Sequence, residues 1–334
     1  MFRRVSVIGA GGWGTALAVL LCENGGQVRM WSHSEEVARE IAECRTNSHY
    51  LPGVKLPRGV DVTTELGEVL DSDLVVFVTP AKAVREVAMR MGGLRKDAVL
   101  VSCVKGLEQG KRRLMSDVLQ ECLPGHRLGV LSGPNLAMEV ARGVPAAAVV
   151  GCGDEEVLAR LQAMFSTRTF RVYVSGDVAG IQLGGALKNV FAIGAGISDG
   201  LGLGENAKAA LVTRALAEMV RLGCALGGRR ETFFGLSGAG DLMVTCFSGR
   251  SRNRSFGERV GLGERPEEIL GSMKMVVEGV SAAREARGAA EELGVDVPII
   301  SSIYSVLYEG KAPGDAMREL LARPPRREPE NLPA

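Results

Sequence analysis

Charged side chains that sit where the surrounding sequence is apolar are the ones most open to a chemical role, and the second half of this chain holds two. Lys188 lies in Ile181-Gln182-Leu183-Gly184-Gly185-Ala186-Leu187-Lys188-Asn189-Val190-Phe191-Ala192, a helical pattern otherwise free of charge. Lysine can act as an acid if a partly buried site lowers its pKa. Asp241, in Leu236-Ser237-Gly238-Ala239-Gly240-Asp241-Leu242, is an isolated carboxylate in a Gly-rich apolar stretch and could orient that ammonium. The same residues also fit a snorkelling lysine and a helix-capping aspartate. Lys105, in Val101-Ser102-Cys103-Val104-Lys105-Gly106-Leu107, follows an apolar strand pattern. Ligands of open α/β sheets bind beyond the carboxyl ends of the strands, so this lysine either points at a site or decorates an exposed loop. Ser251-Arg252-Asn253-Arg254 offers a hydroxyl, a forked guanidinium and an amide, a donor set suited to phosphate, or else a solvated basic turn. In Leu131-Ser132-Gly133-Pro134-Asn135-Leu136-Ala137, Asn135 either caps a helix or meets a ligand. The chain has only three histidines, none at metal-ligand spacing or in a Ser/His/Asp-type setting, so no metal is expected and hydrolase chemistry loses its support.

These residues need elements to hold them. Val5-Ser6-Val7-Ile8 reads as a strand, and Gly9-Ala10-Gly11-Gly12-Trp13-Gly14 follows it directly, ahead of the helical Thr15-Ala16-Leu17-Ala18. This is G-x-G-x-x-G in its required context. Gly9 permits the turn, Gly11 lets backbone amides approach a pyrophosphate, and Gly14 lets helix and strand pack closely. The carboxylate that would hold a ribose 2′-hydroxyl is missing after the second strand, which ends Met30-Trp31-Ser32-His33. NADP is therefore allowed beside NAD, with Arg29 or His33 to receive a 2′-phosphate, unless His33 only caps the next helix. Further strands are expected at 27–31, 74–79, 98–101, 128–131, 147–150 and 169–174, alternating with helices near 12–24, 34–44, 81–91, 111–121 and 154–164, as in a parallel sheet with crossover helices. From Val178 the strand signal stops, and helical patterns occupy 178–197, 206–226, 266–271, 280–293 and 298–309. The expected architecture is a Rossmann-like α/β dinucleotide-binding domain over residues 1–177 and an all-α domain over 178–322, with an unstructured Pro-rich tail over 323–334.

Composition narrows the partners. The 334 residues carry 40 basic and 39 acidic side chains, too even a balance for a nucleic-acid footprint. No uninterrupted apolar run reaches the roughly 20 residues of a membrane span, and the N-terminus lacks a signal core. Seven cysteines without C-x-x-C pairing, mostly in apolar runs, suit reduced thiols and a cytoplasmic location. Only nine of the basic residues are lysines, against 31 arginines.

Several segments, in order, carry a family resemblance over residues 4–320. They are Gly9-Ala10-Gly11-Gly12-Trp13-Gly14-Thr15-Ala16-Leu17-Ala18, Asn47-Ser48-His49-Tyr50-Leu51-Pro52-Gly53, Val104-Lys105-Gly106-Leu107, Ser132-Gly133-Pro134-Asn135-Leu136-Ala137, Ala186-Leu187-Lys188-Asn189-Val190, Gly238-Ala239-Gly240-Asp241-Leu242, Ser251-Arg252-Asn253-Arg254 and Val276-Val277-Glu278-Gly279. With them the chain resembles the bacterial NAD(P)-dependent glycerol-3-phosphate dehydrogenases. The resemblance implies reversible reduction of dihydroxyacetone phosphate to sn-glycerol 3-phosphate, a precursor of phospholipid backbones, with NADP or NAD as cofactor. It implies Lys188 as proton donor and acceptor, with Asp241 beside it. It assigns substrate contacts to Lys105, Gly133, Asn135, Ser251, Arg252 and Asn253, and cofactor contacts to Gly12, Trp13, His33, Tyr50, Lys105, Ala137, Arg252, Val276 and Glu278, beside Gly9, Gly11 and Gly14. Asn135 stands where the family commonly has a small hydroxyl residue. A homodimer is also implied. The competing readings are a 3-hydroxyacid or 6-phosphogluconate dehydrogenase, whose lysine segment usually reads K-x-x-N rather than Lys188-Asn189, and a non-catalytic NADP-binding redox sensor.

Overall fold

The computed structural model describes residues 2–273 and 275–324. The expected tail therefore lies outside the described residues from Pro325 onward. By its internal contacts the chain divides into two units. The first comprises the chain up to Val104 with Leu114–Val178, and the second comprises Lys105–Arg113 with the chain from Ala179 onward. The short segment Lys105–Arg113, which a boundary at 177/178 places in the first domain, thus belongs with the second unit.

The first unit is one eight-stranded sheet in the order β3-β2-β1-β4-β5-β6-β7-β8. Its strands are β1 (Arg4–Ile8), β2 (Gln27–Trp31), β3 (Val60–Thr63), β4 (Leu74–Phe77), β5 (Val99–Ser102), β6 (Arg127–Ser132), β7 (Ala146–Cys152) and β8 (Phe170–Ser175). The helices are α1 (Gly12–Glu23), α2 (Glu35–Cys44), α3 (Val84–Met89), α4 (Met115–Cys122), α5 (Ala137–Ala141) and α6 (Glu155–Phe165). The continuous apolarity of the central strands follows from burial on both faces. Leu74 and Val76 of β4 enter one core cluster with Val99 and Val101 of β5, while Val75, Phe77 and Leu100 enter the other. Two features depart from the sequence expectation. β3 is an additional strand, four residues long and partly exposed, too short to give a periodic signal. β7 pairs antiparallel with β6, whereas every other pairing in the sheet is parallel. The helix between them, α5, has only five residues, too short a rise to carry the chain back along the full length of β6.

The described second unit is helical. It contains α7 (Val178–Gly200), α8 (Gly204–Ala225), α9 (Arg230–Phe233), a π-helical turn over Leu236–Gly240, α10 (Asp241–Phe247), α11 (Arg252–Gly261), α12 (Pro266–Ser272), α13 (Glu278–Leu293), α14 (Pro298–Tyr308) and α15 (Pro313–Leu321). α9, α10, α11 and α15 were not expected from the sequence, because at four to ten residues they are too short to give a strong periodic signal. α7 is 23 residues long and passes the length and composition test for a membrane span, although Gln182, Lys188 and Asn189 interrupt it, so it is not an uninterrupted apolar run. It is instead the core helix of this unit, with 89% of its most apolar window buried. α11 crosses it at backbone contact. A Cβ on Gly196 would lie 2.0 Å from the Arg254 carbonyl oxygen, and one on Gly257 would lie 2.0 Å from that of Ile193, so only glycine fits on either side. This crossing sets the first turn of α11 alongside the middle of α7.

Candidate active site

The glycine turn stands where the strand order reverses, with β1 flanked by β2 and β4. Gly9 has φ +121, and a Cβ on Gly14 would sit 1.9 Å from the Gly9 carbonyl oxygen, so a side chain at Gly14 would force α1 off the turn. Gly11 is the N-cap of α1 and receives no side-chain cap, and the space its Cβ would enter is open to 4 Å. An uncapped helix start beside open space fits the pyrophosphate of a dinucleotide. Asn47, fully buried, donates to the Ala10 carbonyl oxygen and to Thr15 Oγ1, both at 2.8 Å, and so braces the turn. The sequence offered its motif but no role for this residue. Gly12 lies against the Tyr50 carbonyl, and the Trp13 ring stands 6.5 Å from that of Phe170. His33 is exposed and does not cap α2. Ser34 does so, its Oγ accepting from the Val37 amide at 3.4 Å. Arg29 donates to the Glu68 carbonyl oxygen at 3.1 Å. In the turn after β6, Asn135 does not cap α5, whose N-cap is Leu136; its Nδ2 donates to the Ala147 carbonyl at 2.9 Å. A Cβ on its neighbour Gly133 would meet Ala148 Cα at 2.9 Å. Ala137 opens α5.

In the second unit three of the singled-out residues converge on one carboxylate. Lys188 Nζ donates to Asp241 Oδ1 at 2.6 Å, and Lys105 Nζ donates to Asp241 Oδ2 at 2.5 Å. Asp241 begins α10 but its side chain does not cap it, and Lys188 is buried rather than snorkelling. Thr245, one turn on from Asp241, accepts from Lys188 Nζ at 2.6 Å and donates to the Asp241 main-chain oxygen at 2.6 Å. Burial draws the Lys188 ammonium down to about 8, with Asp241 opposing the fall and the like charge of Lys105 assisting it. Burial would raise the Asp241 carboxyl, yet the two ammoniums hold it below the usual carboxylate range. The neighbouring Cys246 thiol is pushed up to about 12 by burial, which leaves it inert as a nucleophile.

A second set of side chains extends from this centre. Asn189 Nδ2 donates to the Lys105 carbonyl at 3.3 Å, its Oδ1 accepts from Asn253 Nδ2 at 2.9 Å, and Asn253 Oδ1 accepts from the Gly279 amide at 2.9 Å. The basic segment is therefore no loose turn: Ser251 is the N-cap of α11, its Oγ accepting from the Arg254 amide at 3.2 Å, and Arg252 lies in the first turn. Arg252 is exposed and donates to the Val276 carbonyl at 3.2 Å, with Glu278 at the start of α13 beside it. Thr245 and Asn189 received no role from the sequence. The i, i+4 spacing of Thr245 from Asp241 was the available signal, since that spacing puts both on one helix face. Among the described residues no group of three or more His, Cys, Asp or Glu is placed to hold a metal.

A doubly wound sheet with a dinucleotide-type turn, and a helical unit with a buried ammonium drawn down to about 8, fit an NAD(P)-dependent oxidoreductase acting on a CH–OH group. The models of the NAD-dependent glycerol-3-phosphate dehydrogenase N-terminus and C-terminus match residues 4–158 and 177–318. The chain belongs to the NAD-dependent glycerol-3-phosphate dehydrogenase family. A curated relative from Pelotomaculum thermopropionicum, named glycerol-3-phosphate dehydrogenase (NAD(P)+), is 48% identical over 337 residues, covering 99% of this chain and 97% of its own. One of the same name from Syntrophotalea carbinolica is 47% identical over 324 residues, covering 96% and 97%. The crystal structure of glycerol-3-phosphate dehydrogenase from Coxiella burnetii superposes with a TM-score of 0.93 at 36% identity, covering 96% of this chain and 99% of that one. Family membership displaces the 3-hydroxyacid and 6-phosphogluconate alternative.

Proposed function

We propose that the chain reduces dihydroxyacetone phosphate reversibly to sn-glycerol 3-phosphate, with Lys188 as the proton donor. The observation that carries this reading is the Lys188–Asp241–Lys105 arrangement. When bound, a reduced nicotinamide would be the source of the hydride that the substrate's C2 carbon accepts. Lys188 then protonates the developing alkoxide, and its ammonium stabilises charge that appears only as the hydride arrives. Asp241 fixes the Nζ position and keeps the amine protonated to higher pH than burial alone would allow. Lys105 holds the far oxygen of Asp241 and adds a second positive charge. In the reverse direction neutral Lys188 takes the hydroxyl proton.

Ser251, Arg252 and Asn253 form the substrate-phosphate set in this reading, supported by their place in the first turn of a helix and by the fork geometry of arginine. Gly133 and Asn135 complete the substrate residues. For the cofactor, Gly9, Gly11, Gly12, Trp13 and Gly14 receive the pyrophosphate side, and His33, Tyr50 and Ala137 line the dinucleotide. Lys105, Arg252, Val276 and Glu278 are the contacts assigned in the second unit. The absent carboxylate after β2 supports acceptance of NADP. A cytoplasmic homodimer is part of the same proposal, and sedimentation of the purified chain tests the dimer.

The decisive assay mixes purified protein with dihydroxyacetone phosphate and NADPH or NADH, following nicotinamide absorbance. Oxidation of either cofactor that depends on the substrate is the expected result. Silence with both leaves the redox-sensor reading in possession.

A further inference from the structure

The loop that carries Lys105 is tied down by residues that the reaction itself does not use. Glu285 of α13 is 3% exposed, and its Oε1 accepts from the Gly110 main-chain amide at 3.1 Å. A buried carboxylate needs such a partner, and here the partner is loop backbone. Two residues further along, Arg112 pairs with Glu292 of the same helix, and its guanidinium lies over Gly288, where a Cβ would come within 2.8 Å. Within the loop the Arg113 carbonyl accepts from the Glu108 amide at 2.9 Å, closing a tight reversal. Gly110 has φ +73 and Arg112 φ +54, the latter a left-handed conformation costly for a non-glycine residue. That cost is borne in a segment whose first residue places an ammonium on Asp241 and its carbonyl on Asn189.

We propose that Glu285 is a positioning residue: by anchoring the Lys105–Arg113 loop to α13, it sets where the Lys105 ammonium stands against Asp241. The inference rests on the reading of Lys188 as the acid and Lys105 as a neighbour that tunes it. The charged and titratable groups facing Lys188 are Asp241 and Cys246 from α10 and Lys105 from the loop, with the Thr245 hydroxyl beside them. Of these, Lys105 reports on the anchor. Once it is displaced, its like charge no longer opposes protonation of Lys188, and Asp241 serves Lys188 alone. The basic limb of the pH profile for ketone reduction must then move above its starting position near 8.

The test measures that limb in Glu285→Ala, Glu285→Gln, Lys105→Ala and the Lys105→Ala/Glu285→Ala double variant. Glu285→Ala is expected to lower kcat/KM roughly tenfold and to shift the limb upward. Glu285→Gln, which keeps an acceptor oxygen, is expected to restore both, and in the Lys105→Ala background Glu285→Ala should move the limb no further. A limb that shifts in Lys105→Ala but stays fixed in Glu285→Ala overturns the anchor alone, as does an equal added shift in the double variant. A limb unmoved by Lys105→Ala brings down the reading of the site and the proposal with it. Should Glu285→Ala fail to fold, Arg112→Ala on the accessible side of the loop carries the same test. A smaller upward shift supports the anchor there, and an unmoved limb overturns it.

Discussion

At Lys188 two large and opposed effects meet on one nitrogen. Burial favours the neutral amine, Asp241 favours the ammonium, and the outcome is a group that titrates near 8 and so can give or take a proton under mild conditions. Arginine could supply the charge but not the proton, so the proposed acid role calls for lysine even in a chain that otherwise favours arginine. Lys188→Ala is expected to reduce kcat by about a thousandfold, at the level of a lost general acid, while cofactor binding to the first unit is retained. Fluorescence titration with NADPH beside steady-state kinetics separates the two, and a kcat within tenfold of the parent would remove Lys188 from the acid role. Asp241→Asn tests the opposing half. With the carboxylate gone, burial and Lys105 act unopposed on Lys188, so the basic limb for reduction should fall below 8. A limb that stays or rises contradicts the assignment. Arg252→Ala should raise KM for the phosphorylated ketone roughly tenfold with little change in kcat, as expected for loss of a charge-assisted phosphate contact. An unchanged KM would place the phosphate elsewhere.

Elements bring these residues together through features that periodicity does not report. The Asn189–Asn253–Gly279 bonds need α11 close to α7, and that closeness depends on Gly196 and Gly257. Gly257→Ala would thrust a methyl group into the Ile193 carbonyl, forcing the helices apart at a cost of about 2–4 kcal/mol and drawing Asn253 away from Asn189. A lowered urea midpoint together with reduced kcat/KM is the expected result. Full stability in this variant would show that the crossing tolerates a side chain. The sequence holds 44 glycines and gives no local sign of which two lie at this crossing. It made β1, the glycine turn and α1 legible, because turn chemistry and strand pattern there agree locally. Lys188 and Asp241 could be singled out as charges in apolar segments, but the bond of Lys105 to Asp241 is a contact between residues 136 apart along the chain, which no local pattern encodes. The antiparallel β7 was missed for a similar reason: direction is set by what the short α5 can span, and strand composition is blind to it.

For the molecule as a whole, stability against pH has an unexpected contributor far from any reaction chemistry. Glu218 of α8 is 1% exposed, and its two oxygens accept the amides of Ile299 and Ile300, at 2.9 and 2.7 Å, at the start of α14. Burial raises its carboxyl from 4.5 to about 7, although both amides and Arg221 pull the other way. In the unfolded chain it ionises near 4.5, so between there and 7 the folded state holds a proton that the unfolded state has lost. The unfolding free energy therefore falls as pH climbs through that window, by about 3 kcal/mol if about 1.4 kcal/mol accompanies each pH unit of separation. This stabilisation is complete below 4.5 and gone above 7. Glu218→Gln cannot ionise and keeps one oxygen as an acceptor. It should be less stable than the parent at pH 5, where the parent's carboxyl is protonated, and the gap should narrow or reverse by pH 8. Tm measured for both proteins across that range decides the matter: parallel curves would show that Glu218 titrates alike in the folded and unfolded chains.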